Sequence, residues 1–250
     1  MKIVVIGGTG LIGSRTVTRL RERGHEVVSA SPSSGVDTLT GKGLTEALQG
    51  AQVLIDLSNP PTTDGKAARA FFETSGKNIA AASAGLRHHV VLSIVGTERL
   101  QGSGYFQGKL AQEEIARNTG IPFTIVRATQ FFEFIGVIIL AGNHGTSIEL
   151  SPALMQPIAA DDVADAVADA ALAEPARGIV EIAGPERAPI SDFGTRFLRA
   201  SGDRRPVVAD WATGYFGSEI DDHTLVPSGT PRLGATRFNA WLRERAAQPA

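Results

Sequence analysis

The sequence contains no cysteine. This absence excludes disulfide bonds, zinc–thiolate sites, thiolate-bound iron–sulfur clusters and thiol catalysis together. An excess of charge of one sign is also missing, because 24 lysines and arginines nearly balance 26 aspartates and glutamates and the formal net charge is −2. Nucleic-acid-binding domains usually carry a clustered basic face, so we expect no direct nucleic-acid partner.

The sequence also lacks a long hydrophobic run. Its most apolar stretch, residues 131–142, includes Glu133 and is shorter than the about 20 residues that span a bilayer. The first strand is predicted to begin at Lys2, without the charged leader and apolar segment of a secretory signal. We therefore expect a cytoplasmic protein with no membrane partner.

Strand and helix patterns alternate through the first half of the chain. Apolar runs rich in β-branched residues predict buried parallel strands at 2–6, 26–30, 52–57, 89–95 and 123–127. Helices are predicted at 14–23, 44–48, 66–84 and 105–118. This repetition predicts an α/β fold with a doubly wound parallel sheet of Rossmann type.

The pattern loosens after residue 128. Helices are predicted at 161–173, 191–201 and 238–245, and a strand is predicted at 178–183. The segment 202–234 is rich in Gly, Pro, Asp and Ser and is hard to assign. The second half therefore contains fewer regular elements than the first.

Three glycines follow the first predicted strand directly. Gly7, Gly10 and Gly13 form a G-x-x-G-x-x-G motif that opens a helix. The first glycine permits a sharp turn, the second lets the backbone approach a pyrophosphate, and the third allows close helix–strand packing. Free N–H groups at the helix N-terminus would face the phosphates. The motif predicts a dinucleotide site at Gly7, Thr9, Gly10, Leu11, Ile12 and Gly13, with a glycine turn that binds nothing as the alternative.

The residues after the second strand bear on which dinucleotide is bound. NAD-binding proteins place an Asp or Glu about 20 residues past the glycines, where it bonds the ribose 2′-OH. This chain has Ala30 there and no acid in segment 31–34. The hydroxyls of Ser31, Ser33 and Ser34 could bond a 2′-phosphate, and Arg15 is a possible cation for it. We predict NADP(H) in preference to NAD(H), with a plain polar turn as the alternative.

A second motif, Y-x-x-x-K, opens the predicted helix 105–118. Tyr105 and Lys109 are four residues apart, so their side chains share one helix face. An ammonium beside a phenol should lower the phenol's pKa and make Tyr105 a general acid–base near neutral pH. Ser93, at the end of the preceding strand, could bond a substrate carbonyl oxygen. A surface helix pair is the alternative interpretation of the motif.

These motifs together resemble a known superfamily. GGTGLIG at 7–13, Ser93 and YFQGK at 105–109 resemble the short-chain dehydrogenase/reductase superfamily. Within it the chain is similar to the atypical, NmrA-like or NAD(P)H-binding group, which RATQFF at 127–132 and PIAADDVA at 157–164 also resemble.

The resemblance implies a role for individual residues. Tyr105 would be the acid–base, Lys109 would anchor the ribose and modulate the pKa, and Ser93 would orient the reacting oxygen. Ser58 and Asn59 would lie along the cofactor. The family's further catalytic asparagine has no secure counterpart, although Asn78 lies on the matching helix.

From these observations we expect an NAD(P)-binding Rossmann core at 1–128. Residues 129–250 would complete the fold and form a small substrate lobe within one compact unit. The predicted function is an NAD(P)-dependent oxidoreductase, monomeric or homodimeric, acting on a small carbonyl, alcohol or quinone-like substrate. Phe131 and Phe132 could line the substrate pocket or belong to the core, and no metal site is predicted. The alternatives are a non-catalytic NAD(P)-sensing regulator of NmrA type and a nucleotide-sugar epimerase.

Overall fold

The computed structural model describes residues 1–62 and 64–247. The strands in this part of the chain are β1 (Lys2–Ile6), β2 (Glu26–Ala30), β3 (Val53–Asp56), β4 (His88–Ile94), β5 (Phe123–Ala128), β6 (Ile148–Leu150), β7 (Leu154–Met155), β8 (Gly178–Ala183), β9 (Ala188–Pro189), β10 (Val207–Ala209) and β11 (Arg232–Leu233). The helices are α1 (Leu11–Glu22), α2 (Leu44–Leu48), α3 (Gly65–Ala82), α4 (Gly104–Asn118), α5 (Ile135–Ala141), α6 (Ala160–Leu172), α7 (Ile190–Ala200) and α8 (Phe238–Ala247).

Seven of these strands form one sheet in the order β2-β1-β3-β4-β5-β8-β11. Every neighbouring pair in this sheet is parallel. Helices cover both faces, as alternate residues of β1 show. Ile3 and Val5 belong to the core shared with α1 and α6, whereas Val4 and Ile6 belong to the core shared with α2 and α3. The predicted doubly wound Rossmann-type sheet is confirmed.

A ladder of ion pairs joins α1 to α6. Each helix carries three charged residues at intervals of four, so each set lies along one helix face. Side-chain exposures of 19% to 57% in these pairs predict only a modest contribution to stability. The ladder consists of Arg15, Arg19 and Arg23 on α1 with Asp161, Asp165 and Asp169 on α6.

The second half of the chain both extends the central sheet and forms a separate apolar core. The strands β8 and β11 extend the central sheet, and α6 packs on it. The remaining elements surround a separate apolar core that includes Phe132, Phe193 and Phe238. Two small sheets, β6 with β10 and β7 with β9, lie in the same half. The segment 202–234 contains only β10 and β11 among its described regular elements.

Across the described ranges, no helix combines the length and the apolar character that would be needed to cross a bilayer.

Candidate functional site

The sheet has a topological switch point between β1 and β3. The chain leaves β1 toward β2 on one side, and β3 then pairs with β1 on the other side. In open parallel sheets, ligands bind in the crevice outside the carboxyl ends of the strands at this point. Here the crevice lies between the glycine loop after β1 and residues Ser58 and Asn59 after β3.

Glycine is required at two positions of this loop for different reasons. Gly7 has φ +73°, a left-handed conformation that side chains rarely adopt, and a Cβ there would lie 2.6 Å from the Leu57 carbonyl oxygen. Gly13 lies against the backbone of Gly7, so a Cβ at Gly13 would collide with the Gly7 carbonyl. The loop is therefore tightly folded onto β3 and onto its own helix.

Gly10 differs from its neighbours because the space around it is open. A Cβ at Gly10 would meet only the Gly7 carbonyl oxygen, at 3.3 Å. Gly10 is also the N-cap of α1 and provides no side-chain cap. The first-turn N–H groups of Leu11, Ile12 and Gly13 have no partner within the helix, as at every helix N-terminus. Open space beside uncapped N–H groups fits the pyrophosphate of a dinucleotide.

Segment 31–34 forms a short 3-10 turn after β2. Ser31 Oγ lies 2.8 Å from Ser33 Oγ. The Ser34 hydroxyl accepts from Ser31 N at 2.9 Å and lies 3.0 Å from the Ser29 carbonyl oxygen. Ser33 and Ser34 are exposed, whereas Ser31 is buried. The hydroxyls are thus clustered at the edge of the crevice, but they already have partners within the turn.

Arg15, the cation considered for a 2′-phosphate, is engaged elsewhere. Its Nη1 donates to the Leu11 carbonyl oxygen at 2.9 Å, and its Nε lies 3.3 Å from Asp161 Oδ2. The structure therefore assigns Arg15 to the contact between α1 and α6.

Tyr105 lies in the first turn of α4 and reaches the crevice. Its hydroxyl donates to Asn59 Oδ1 at 2.8 Å, which joins the Tyr105 helix to the carboxyl end of β3. Burial raises the pKa of Tyr105 to about 12. The expectation that Lys109 would lower this pKa is wrong, because the ammonium is directed to other partners and desolvation outweighs it.

Lys109 is 5% exposed and lies one helical turn beyond Tyr105. Its Nζ donates to the Leu92 carbonyl oxygen at 2.6 Å and to Gln112 Oε1 at 2.5 Å. Gln112 Nε2 in turn donates to Asp56 Oδ2 at 2.7 Å. Burial lowers the pKa of Lys109 to about 8, although the carboxylates of Asp56 and Glu113 oppose this change.

The Ser93 hydroxyl bonds a residue outside this pair. It is 1% exposed, and its hydroxyl donates to Glu113 Oε1 at 2.6 Å. The same carboxylate accepts hydrogen bonds from Nε and Nη2 of Arg127, each at 2.9 Å. Ser93 and Arg127 are register partners on β4 and β5, so both side chains meet Glu113 below α4. In this arrangement Ser93 stabilises a buried ion pair, which is a different role from orienting a carbonyl oxygen.

Three further candidate residues contribute to a loop contact or to core packing. Asn78 Nδ2 donates to the carbonyl oxygens of Thr38 and Leu39, both at 2.9 Å, and so fixes the 38–39 loop to α3. Phe132 is fully buried, with its ring 5.0 Å from that of Phe238, so it is a core residue. Phe131 is half-buried and packs against the core of the main sheet.

The sequence interpretation missed the buried polar residues that surround Lys109. Gln112 and Glu113 are three and four residues after Lys109, so helical spacing alone would have placed all three on one face. Asp56, at the end of a four-residue buried strand, is 1% exposed. A charged residue within an apolar run of the sequence could have identified Asp56 as a candidate functional residue.

Comparison with known proteins gives a family match for the N-terminal part of the chain. The model of the NAD dependent epimerase/dehydratase family matches residues 3–94, less than half of the chain. This stretch includes the glycine loop, Ser58, Asn59 and Ser93. No curated protein matches the chain significantly in sequence.

Solved structures resemble the chain over nearly its whole length. UDP-N-acetylglucosamine 4-epimerase from Bacillus cereus has a TM-score of 0.74 at 19% identity, and 98% of each chain is covered. UDP-glucose 4-epimerase from Thermus thermophilus, in complex with NAD, has a TM-score of 0.70 at 17% identity, with 99% of this chain and 100% of that chain covered. dTDP-4-dehydrorhamnose reductase from Bacillus anthracis str. Ames, in complex with NADP, has a TM-score of 0.68 at 13% identity, with 98% and 92% covered. At these identities the likeness establishes the fold.

Proposed function

Because the fold and the family match over residues 3–94 support an atypical short-chain dehydrogenase/reductase type, we propose that the chain is an NADP(H)-dependent reductase of small carbonyl compounds. One observation carries this proposal. The Tyr105 hydroxyl meets Asn59 at the carboxyl end of β3, beside the glycine loop at the switch point. An acid–base group and a dinucleotide crevice therefore share one edge of the sheet.

The loop Gly7–Gly13 would hold the pyrophosphate through backbone N–H groups, and Ser58 and Asn59 would border the rest of the dinucleotide. When bound, the reduced nicotinamide supplies the hydride. The protein's own contribution is to position the reacting groups and to provide the proton.

The protonation state of Tyr105 fits the donor role that carbonyl reduction requires. With a pKa of about 12, Tyr105 is a neutral phenol at pH 7 and is suited to donate a proton. Reduction of a carbonyl requires such a donor at the oxygen, whereas oxidation of an alcohol requires a base. Lys109, one turn away, donates to Leu92 and Gln112, so its ammonium is not directed at the Tyr105 oxygen.

Tyr105→Phe tests this mechanism. The variant retains the ring packing against Phe72 and Phe106 and loses only the hydroxyl. We expect NADPH oxidation with a carbonyl substrate to fall at least about a hundredfold, while the dissociation constant for NADPH stays within a factor of two or so. Unchanged turnover would refute Tyr105 as the proton donor.

The proposed preference for NADP(H) rests on the absence of a carboxylate in segment 31–34. Ser33→Asp would place a negative charge beside the 2′-phosphate. We expect at least about tenfold weaker NADPH binding, with little change for NADH, measured by fluorescence titration. Ser33→Asn is the matched uncharged control. Equal effects of Asp and Asn on NADPH would contradict the charge argument.

A regulatory function is the second candidate, and the position of Ser93 favours it. A sensor of NmrA type needs the dinucleotide crevice but not a serine beside Tyr105, and Ser93 is bonded to Glu113. A sensor should bind NADPH tightly and oxidise none of it across a panel of aldehydes, ketones and quinones. Turnover of any panel member would favour the reductase.

A further inference from the structure

The Tyr105 hydroxyl has one hydrogen-bond partner within residues 1–62 and 64–247. It donates to Asn59 Oδ1 at 2.8 Å. Lys109 and Ser93, which the sequence predicts to act together with Tyr105, both donate to other residues. Asn59 is therefore the side chain that determines where the phenol proton points.

The backbone on both sides of Asn59 is fixed. Before it, Ser58 N donates to Asp56 Oδ1 at 3.0 Å. Gln112 Nε2 on α4 donates to Asp56 Oδ2 at 2.7 Å and lies 3.3 Å from Ser58 Oγ. Two prolines follow Asn59, and the first of them, Pro60, is buried. Proline restricts its own φ and holds the preceding residue in an extended conformation. Asn59 is thus held in place relative to the helix that carries the phenol.

The ring of Tyr105 is fixed as well. It packs edge-on against Phe72 of α3 and against Phe106, at centroid distances of 5.6 and 5.4 Å. Gly104, the first residue of α4, lies against the start of α3, where a Cβ would collide with the Gly65 carbonyl oxygen. The main freedom left to the phenol is rotation of its hydroxyl hydrogen about the C–O bond.

An amide oxygen acts in one direction on a phenol. It accepts the O–H but has no proton to donate to a phenolate, so the hydrogen bond stabilises the protonated form. In the observed arrangement the atom of Asn59 that faces the phenol is Oδ1. The Asn59 side chain is exposed, so it borders the open crevice as well as the phenol.

We propose that Asn59 is a positioning residue for Tyr105, whose Oδ1 directs the hydroxyl and keeps the proton on the phenol until a substrate carbonyl oxygen takes its place. This inference rests on the proposed reductase function, in which Tyr105 is the proton donor. The hydroxyl turns from Oδ1 to the substrate oxygen. The proton moves to that oxygen as hydride from NADPH adds to the carbonyl carbon and the C=O π pair moves to the oxygen. Asn59 neither gains nor loses a proton, and water restores the proton of Tyr105.

The surroundings of Tyr105 leave this contact open to a clear test. Burial raises the pKa of Tyr105 to about 12, and burial, with the neighbouring Tyr105 second, raises that of Tyr215 well above its ordinary value. The titratable side chains on the elements packed against Tyr105 are Lys109 on α4, Asp56 on β3, Arg69 and Glu73 on α3, and Tyr215. Lys109 and Asp56 both bond Gln112, and Arg69 pairs with Glu73. A charge introduced at position 59 would therefore act on the phenol directly.

Titration of Tyr105 tests the contact without turnover. The chain contains two tyrosines, so protein labelled with ring-fluorinated tyrosine gives two ¹⁹F resonances, which Tyr105→Phe and Tyr215→Phe assign. Ring fluorination also lowers phenol pKa values toward the range in which proteins stay folded. We expect Asn59→Ala to lower the pKa of Tyr105 by about half a unit or more, because the hydrogen bond to the neutral phenol is lost. Asn59→Asp should raise this pKa by a similar amount or more, because a carboxylate accepts the same proton and repels the phenolate.

Asn118→Ala is the matched control. Asn118 is exposed at the far end of the same helix and bonds only Glu114 among the described residues, so the pKa of Tyr105 should stay at its wild-type value. Opposite shifts in Asn59→Ala and Asn59→Asp support the positioning role. An unchanged pKa in Asn59→Ala, or shifts of the same sign in both variants, would overturn it, because a general loosening of the site does not depend on the charge at position 59.

The pH profile of turnover provides a second measurement. In the fluorinated protein, kcat for the best carbonyl of the panel should fall where Tyr105 loses its proton. This upper limb should move to lower pH in Asn59→Ala and to higher pH in Asn59→Asp. At neutral pH, Asn59→Ala should lower kcat about tenfold and change KM by less than about twofold, since the proton is no longer directed. An upper limb that stays in place in both variants would contradict the positioning role.

The two measurements separate this inference from the proposed function. If the ¹⁹F titrations shift as expected and the wild type reduces no carbonyl, the reductase proposal fails, and the control of the Tyr105 proton by Asn59 stands. If carbonyls are reduced and the titrations do not shift, the positioning role alone fails.

Discussion

Replacing the buried lysine of the candidate site with methionine should change how the stability of the fold depends on pH. Lys109 is 5% exposed, and burial lowers its pKa from 10.5 to about 8. One pKa step corresponds to about 1.4 kcal/mol, so the full shift corresponds to about 3 kcal/mol. Lys109→Met removes this titration while keeping the length and much of the volume of the side chain.

The sign follows from proton counting. Between pH 8 and pH 10.5 the unfolded chain keeps a proton on Lys109 that the folded chain has lost, so unfolding takes up a proton. The free energy of unfolding contributed by Lys109 must then rise with pH across this window. Below pH 8 both states are protonated, and the contribution is constant.

Urea unfolding of the protein without cofactor, at half-unit intervals from about pH 7.5 to 10, would measure this effect. We expect the wild type to gain about 2 to 3 kcal/mol relative to Lys109→Met over the range. The lost hydrogen bonds to Leu92 and Gln112 shift the variant equally at every pH, so they do not affect the slope. Lys77→Met, at an exposed position on α3, is the matched control and should follow the wild-type slope. If the difference in the free energy of unfolding between wild type and Lys109→Met is the same at every pH, burial does not lower the pKa of Lys109. If this difference falls as the pH rises, the carboxylates of Asp56 and Glu113 outweigh the effect of burial on that pKa.

Two further predictions concern stability and binding. Arg127→Met removes both hydrogen bonds from Arg127 to the buried Glu113 carboxylate. Chemical unfolding should then show that the free energy of unfolding falls by about 3 to 5 kcal/mol. The double variant Arg127→Met/Glu113→Leu should recover most of this loss, and failure to recover would mean that the ion pair itself stabilises the fold. Gly10→Ala should change the melting temperature by less than about 2 °C, because only the Gly7 carbonyl is near. The same variant should weaken NADPH binding at least about tenfold, since the methyl group enters the pyrophosphate space. Gly13→Ala, which collides with Gly7, should instead lower the melting temperature, and equal melting temperatures for the two variants would contradict this distinction.

Much of the fold was predictable because its signals are local. The strands at 26–30 and 178–183 and the helix at 44–48 have the predicted bounds, since composition and flanking glycines mark where each element begins and ends. The short strands and α5 in the second half were not predicted. The segments that form them show no clear strand or helix period, and tertiary contacts determine their conformation.

The glycine loop and the placement of Tyr105 and Lys109 on one helix face follow from the sequence alone. Both depend on spacing within a few residues, which helix and turn geometry convert directly into position. The packing of the folded chain sets the contacts and pKa values of these residues. The register of β4 and β5 directs Ser93 to Glu113, and burial raises the pKa of Tyr105 instead of lowering it. Packing of the second half of the chain brings Tyr215 next to Phe106. Orientation across a sheet, desolvation and contacts between residues distant in the chain are properties of the packed molecule, and a local pattern does not contain them.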